Sequence, residues 1–280
     1  MIKFTKMHGL GNDYVYIDCT NRQQITNEAE MAKLISDRHF GIGSDGMILI
    51  CRSNIADFKM KMFNSDGTEA EMCGNGIRCL GKFVYDKGLT RKKEIQVETL
   101  AGIKQLKLNI RENKVAEVEV DMGEPILEAN RIPVLEAKYP VKKLPVKAEN
   151  REFYITCVSM GNPHGVIIVK NLNGFDMKRY GRILENHRIF PQRANIEFVQ
   201  IVDKKNIKMR VWERGTGETL ACGTGACAAV VACSLNNYID KEAMVELLGG
   251  KLKVKWDCNN NHVYMTGPCE TVFEGEWYGK

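Results

Sequence analysis

Two stretches, FNSDGTEAEMCGNGIRC at residues 63–79 and WERGTGETLACGTGACA at residues 212–228, read as copies of one another. Each holds a Cys-Gly-x-Gly core, Cys73-Gly74-Asn75-Gly76 in the first and Cys222-Gly223-Thr224-Gly225 in the second. Each also places a glutamate four residues ahead of its cysteine, Glu69 and Glu218, while Asn64 of the first copy corresponds to Glu213 of the second. Upstream, a Gly-Asn pair precedes an apolar run in both halves, as GNDYVYID and GNPHGVIIV, so Asn12 and Asn162 stand at nearly equal offsets ahead of their cysteines. Several landmarks at matched offsets make an internal repeat. The 280 residues therefore divide into two related domains.

Outward from these cores the pattern is one of short strands. β-Branched and aromatic runs bounded by turn residues predict strands over 2–7, 14–19, 47–51, 58–63 and 95–99 in the first half. The second half gives 153–159, 166–170, 196–202, 208–212 and 251–256. Behind each cysteine the period turns helical. Ile77, Leu80 and Val84 form an apolar stripe that Gly88 stops, and Ala226, Ala229, Val230 and Cys233 line the alanine-rich second copy. Each domain is expected to be a sheet of short strands around a largely apolar helix. Residues 124–150 carry lysines and prolines with weaker periodicity, and the boundary between the halves falls near residue 119.

A chain with 44% hydrophobic and 27% charged residues lies in the globular range, which excludes disorder. No apolar run approaches the roughly 18 residues of a membrane helix. The opening MIKFTKMHGLGND lacks the apolar stretch of a signal peptide. The expectation is a cytoplasmic protein with no membrane partner. The net charge of +5 comes from basic residues scattered among 35 acids, whereas a nucleic-acid binder gathers them on one face, so no nucleic acid is expected. Ten cysteines do not make a disulfide framework in a chain of this size and kind. Cys19, Cys51, Cys157, Cys233, Cys258 and Cys269 read as small core hydrophobes or incidental thiols.

Cys73 and Cys222 are different, because each stands where strand and loop give way to a helix. A helix N-terminus leaves amide N–H groups unpaired and carries partial positive charge. That environment is expected to lower the thiol pKa and to bind an anion such as a carboxylate. The neighbouring glycines let a ligand approach the backbone. Two such thiols suit the inversion of a carbon stereocentre, in which a thiolate removes a proton from one face and a thiol returns one to the other. Amides at the helix ends would stabilise charge building on a carboxylate, so no cofactor is required. A zinc site is not expected: Cys73 and Cys79 are separated by five residues and Cys222 and Cys227 by four, with no paired tight C-x-x-C motifs. The dinucleotide spacing G-x-G-x-x-G fits neither copy. His8 and His164 taken singly are ordinary polar or core residues, whereas Asn12, Asn64, Asn162 and Asn195 gain weight from their matched positions.

The motifs KMHGLGNDYVYID, FNSDGTEAEMCGNGIRC, SMGNPHGV, ANIEF, VWERGTGETLACGTGACA and the late TGP resemble the diaminopimelate epimerase family, in order and spacing over nearly the whole chain. The resemblance implies an α+β fold of two pseudo-symmetric domains, each a curved, mostly antiparallel sheet wrapped around a central helix, with the active site in the cleft between them. It implies that residues 1–118 with 267–280 form one domain and 119–266 the other. Cys73 and Cys222 would be the acid and base, with His164 and Glu213 tuning their pKa values. Asn12, Asn64, Asn162 and Asn195 would hold the polar ends of diaminopimelate. Gly74, Asn75, Gly223 and Thr224 would present amides to the reacting carboxylate, and Glu213 and Arg214 would engage the distal amino-acid end. A homodimer with Phe273 at its contact is also implied. Many relatives carry glutamine where Gly46 follows Asp45, which is expected to remove one side-chain contact.

Other functions remain open at this point. A racemase for proline, hydroxyproline or histidine would use the same two thiols, although proline-type sites carry CGH where this chain has Cys73-Gly74-Asn75. A non-catalytic amino-acid binder would need an anion site but no second thiol. A metal or redox sensor would declare itself by metal content.

Overall fold

The computed structural model describes residues 1–21, 25–136 and 138–279. The chain divides into two compact units, Met1–Val120 with Gly267–Lys280, and Asp121–Thr266.

In the first unit β1 (Ile2–Gly9) and β2 (Asn12–Asp18) form an antiparallel hairpin, and β2 runs parallel to β3 (Gly46–Cys51). Next, β4 (Phe58–Asn64) lies antiparallel to β3 and takes two partners, the short β5 (Glu69–Ala70) antiparallel and β6 (Glu94–Thr99) parallel. An antiparallel meander through β7 (Gly102–Arg111) and β8 (Lys114–Asp121) follows. The last strand, β18 (Glu270–Trp277), pairs antiparallel with β1. Helix α1 (Glu28–Ser36) packs Ala32 and Ile35 onto Phe4, Val15, Ile17, Met47, Leu49 and Phe63. Helix α2 (Gly74–Asp86) is buried from Gly74 to Val84. It ends where the sequence predicts, with Gly88 at φ 74° accepting the left-handed turn that a side chain would resist.

The second unit repeats this succession. Strands β10 (Arg151–Ser159), β11 (Pro163–Ile168), β12 (Asn195–Ile201) and β13 (Asn206–Glu213) pair antiparallel, parallel and antiparallel in turn. Then β13 takes β14 (Gly217–Thr219) antiparallel and β15 (Glu242–Leu247) parallel, and β16 (Gly250–Trp256) and β17 (Val263–Pro268) complete the meander. Helices α3 (Met177–Glu185) and α4 (Gly223–Leu235) take the places of α1 and α2. The edge of β10 is paired by β9 (Leu144–Ala148), the chain just ahead of it. Leu184 of α3 packs in one core with Phe153, Ile155, Ile167, Ile196 and Phe198, each contributing about 1.5–3 kcal/mol by leaving water. Helix α4 is buried from Gly225 to Cys233, and its alanines keep it slim.

Both units are mixtures of mainly antiparallel strands with a buried helix, the α+β class expected. Among the described residues no helix is long and apolar enough to cross a membrane.

Candidate functional site

Cys73 caps α2. Its backbone is extended (φ −128°, ψ 124°) and its Sγ accepts a hydrogen bond from Gly76 N at 3.5 Å. Cys222 caps α4 in the same way (φ −122°, ψ 114°), with Sγ accepting from Gly225 N at 3.4 Å. A thiol thus fills the N-cap place that Ser, Asp or Asn usually takes. Each sulfur lies at the positive end of a helix.

In the first unit the Cys73 thiol donates to Asn12 Oδ1 at 3.2 Å, and Asn75 Nδ2 reaches the same oxygen at 3.4 Å. Asn12 is oriented by donating its own Nδ2 to Asp45 Oδ2 at 2.8 Å, an oxygen that also accepts Asp13 N at 3.1 Å. Arg38 joins the two carboxylates, bonding Asp13 and Asp45 at 2.9 Å each, and Lys6 pairs with Asp13 at 2.6 Å. Against the burial that would raise it, these bonds from Arg38 and Lys6 hold the Asp13 carboxyl below its usual range. Fully buried Arg78 clamps the first turn, donating to Gly74 O at 3.1 Å, to Asn75 Oδ1 at 3.0 Å and to Pro268 O at 3.3 Å. Asn64 ends β4 and donates to Thr68 Oγ1 at 3.0 Å. Tyr14 is buried nearby, and burial first, then Cys73, pushes its phenol up.

The second unit builds its site differently. His164 is fully buried, with Nδ1 2.7 Å from Glu197 Oε1 and Nε2 2.9 Å from Asn162 Oδ1. Asn195 donates to Pro163 O at 3.1 Å and accepts Arg214 N at 2.9 Å, which fixes the turn after β13. The Arg214 side chain is exposed and donates to Gln192 O at 3.2 Å. Glu185 braces the same turn, accepting from Trp212 Nε1 and Gly215 N at 2.8 Å each. Thr224 Oγ1 lies 3.4 Å from Cys222 Sγ, and Glu213 accepts a bond from Thr219. Burial raises the Glu213 carboxyl above its usual range, partly opposed by Thr219 and His164.

One expectation needs correction. The helix N-terminus was expected to lower both thiols. Cys222 instead lies well above the ordinary range, through burial first and then the carboxylates Glu213 and Glu197, which outweigh Thr224 and the Gly225 amide. A Cβ at Gly46 would lie 2.1 Å from the Phe63 carbonyl oxygen, so this backbone has no room for a side chain.

The structure joins Asn12, Cys73 and Asn75 in one network, and Asn162 with His164 in another. The sequence reading passed over Asp45, Arg38, Arg78, Glu185 and Glu197. For Glu197 a signal existed, a lone acid inside the apolar strand NIEFVQI. Among the described residues no group of three or more His, Cys, Asp or Glu could hold a metal ion.

Comparison with known proteins bears on what these networks serve. The family model for diaminopimelate epimerase matches residues 4–128 and 156–272. The chain is 58% identical over 275 residues to a diaminopimelate epimerase of Acetivibrio thermocellus, covering 98% of each chain. It is equally similar to one of Methanococcus maripaludis, covering 98% of this chain and 99% of that protein. The chain belongs to the diaminopimelate epimerase family. The family match spans both cysteine networks and stops one residue short of Phe273. Among solved structures, a phenazine biosynthesis protein of the PhzF family from Bacillus anthracis shares the fold, with a TM-score of 0.73 at 19% identity and 98% of both chains covered. A hydroxyproline epimerase from Agrobacterium vitis shares it at a TM-score of 0.66 and 13% identity, covering 98% of this chain and 90% of that one.

Proposed function

We propose that the chain is a cofactor-independent isomerase that interconverts LL- and meso-2,6-diaminopimelate, serving lysine and peptidoglycan precursor synthesis. The observation that carries this is the identical capping of α2 and α4 by Cys73 and Cys222 in a chain of this family. In the reaction one thiolate takes the α-proton as the C–H bond breaks and its electron pair moves into the carboxylate. The other thiol gives up its proton to the opposite face of the carbon. In the ligand-free protein Cys222, which burial and two carboxylates push well above the ordinary thiol range, keeps its proton.

Gly74, Asn75, Gly223 and Thr224 supply first-turn amides to the reacting carboxylate, where charge builds. Asn12, Asn64, Asn162 and Asn195 hold the polar ends of the substrate, with Asn12 kept in place by Asp45. Glu213 takes the distal ammonium and Arg214 the distal carboxylate, for which a guanidinium is suited. His164 and Glu213 tune the thiols. The same reading gives a cytoplasmic homodimer joined through the first unit. Phe273, exposed on β18 and edge-on to Phe4 at 5.8 Å, would lie at the contact.

The test is proton exchange in D₂O on LL-diaminopimelate, without added cofactor, for the wild type, Cys73→Ala and Cys222→Ala. Deuterium at the α-carbon with formation of the meso isomer, and loss of epimerisation in both variants, is the expected result. Exchange on a different amino acid alone would replace the substrate, and exchange on none would end the enzyme reading.

A further inference from the structure

The second unit holds a buried acid that the repeat does not require. Glu197 pairs with Val166 across β11 and β12, and Ile48 pairs with Tyr16 across β2 and β3, at the equivalent place of the first unit. A Cβ added at Gly225 would lie 2.7 Å from Glu197 Oε1, and one added at Gly76 would lie 2.8 Å from Ile48 Cδ1. The second glycine of the Cys-Gly-x-Gly core therefore rests on a carboxylate in one unit and on a methyl group in the other. An aliphatic side chain satisfies the packing. A fully buried carboxylate is costly unless it is paired. What changes with it is the residue two places after the repeated asparagine, Tyr14 in the first unit and His164 in the second. The units differ by an exchanged couple, Tyr14 with Ile48 against His164 with Glu197.

Proton counting gives that couple a role. Nδ1 of His164 faces the Glu197 carboxylate and Nε2 faces Asn162 Oδ1, so both ring nitrogens look at oxygen acceptors. A neutral imidazole has a single N–H to offer. Glu197 Oε2 is buried with no hydrogen-bond partner, so the ring is the group that meets this carboxyl. We propose that Glu197 is a positioning residue that keeps a proton on Nδ1 of His164, fixes Nε2 toward Asn162 and sets a carboxylate 2.7 Å from the ring. Its effect on turnover rests on the epimerase reading; its effect on His164 does not. The titratable groups facing the couple are Glu213 on β13, Cys222 at the head of α4 and Cys157 on β10. All three are acids that burial pushes up, toward their neutral forms.

The experiment follows the His164 ring by ¹⁵N NMR against pH, with epimerisation kinetics alongside, in wild type, Glu197→Gln and Glu197→Ile. Removing an opposite charge disfavours the imidazolium. The His164 midpoint should fall by about one pH unit or more in Glu197→Gln. In Glu197→Ile, which installs the sister unit's residue, the Nδ1 proton preference should be lost as well. Turnover should drop about 10–100-fold in kcat with KM changed little, by analogy with losing the carboxylate behind a metal-bound histidine. An unshifted midpoint with wild-type kcat in Glu197→Gln would overturn the inference. If the wild type fails to epimerise diaminopimelate, the function reading falls, and the NMR titration still decides this one.

Discussion

Cys222 shows how a single residue's surroundings set its chemistry. Its sulfur caps a helix, yet burial and two carboxylates hold the proton on it more firmly than the Thr224 hydroxyl and Gly225 amide draw it off. Glu213 is the larger of the two charged contributors, so its removal has a signed consequence. Glu213→Gln takes away a negative neighbour, favours the thiolate and should lower the pH midpoint of Cys222 alkylation by about one unit. Iodoacetamide labelling followed by peptide mass mapping, in a Cys73→Ala background, reads that midpoint directly. A midpoint that stays or rises would remove Glu213 as a cause of the shift. The two thiols themselves were legible, because a repeated Cys-Gly-x-Gly core carries its own signal. Asp45 and Arg38 were not: Asp45 meets Asn12 across 33 positions of sequence, a contact no local pattern records.

At the scale of elements, what the sequence hid depended on which rule a segment broke. The ten predicted stretches fall within three residues of β1–β4, β6, β10–β13 and β16, while β8, β15 and β17 were missed although they too carry apolar residues. The meander strand β7 was missed because most of its side chains are exposed or half-exposed and lysines interrupt its alternation. Helix α3 was missed for a sharper reason, a glycine in its middle. In an exposed helix Gly→Ala stabilises by about 1 kcal/mol. At Gly181, however, an added Cβ would lie 2.6 Å from the Trp212 ring, whose Nε1 is already bonded to Glu185 at 2.8 Å. Forcing extra volume into packed contacts costs about 1–3 kcal/mol, which exceeds the propensity gain. Gly181→Ala should therefore lower the thermal midpoint by several degrees. A midpoint equal to or above that of wild type would show that the indole gives way freely.

Over the whole molecule, duplication explains what each unit shares, and the edges show where they part. A first strand whose outer edge stays unpaired invites pairing with another chain. The second unit closes β10 with β9, a neighbour in sequence, whereas the first closes β1 with β18, from the far end of the chain. That long return leaves no periodic signature, and only family resemblance pointed to it. The pairing runs from Ile2 with Trp277 to His8 with Glu270, and Phe4 packs edge-on against Phe273 at 5.8 Å. Ending the chain at Cys269 should strip this cover from β1 and leave the bonds within β9 and β10 as they are. Amide exchange then separates the units: protection should collapse in β1 and persist in β10 and α4, with increased self-association from the exposed edge. Uniform loss of protection would show that the two units unfold as one, and unchanged protection in β1 would show that its hairpin with β2 suffices without β18.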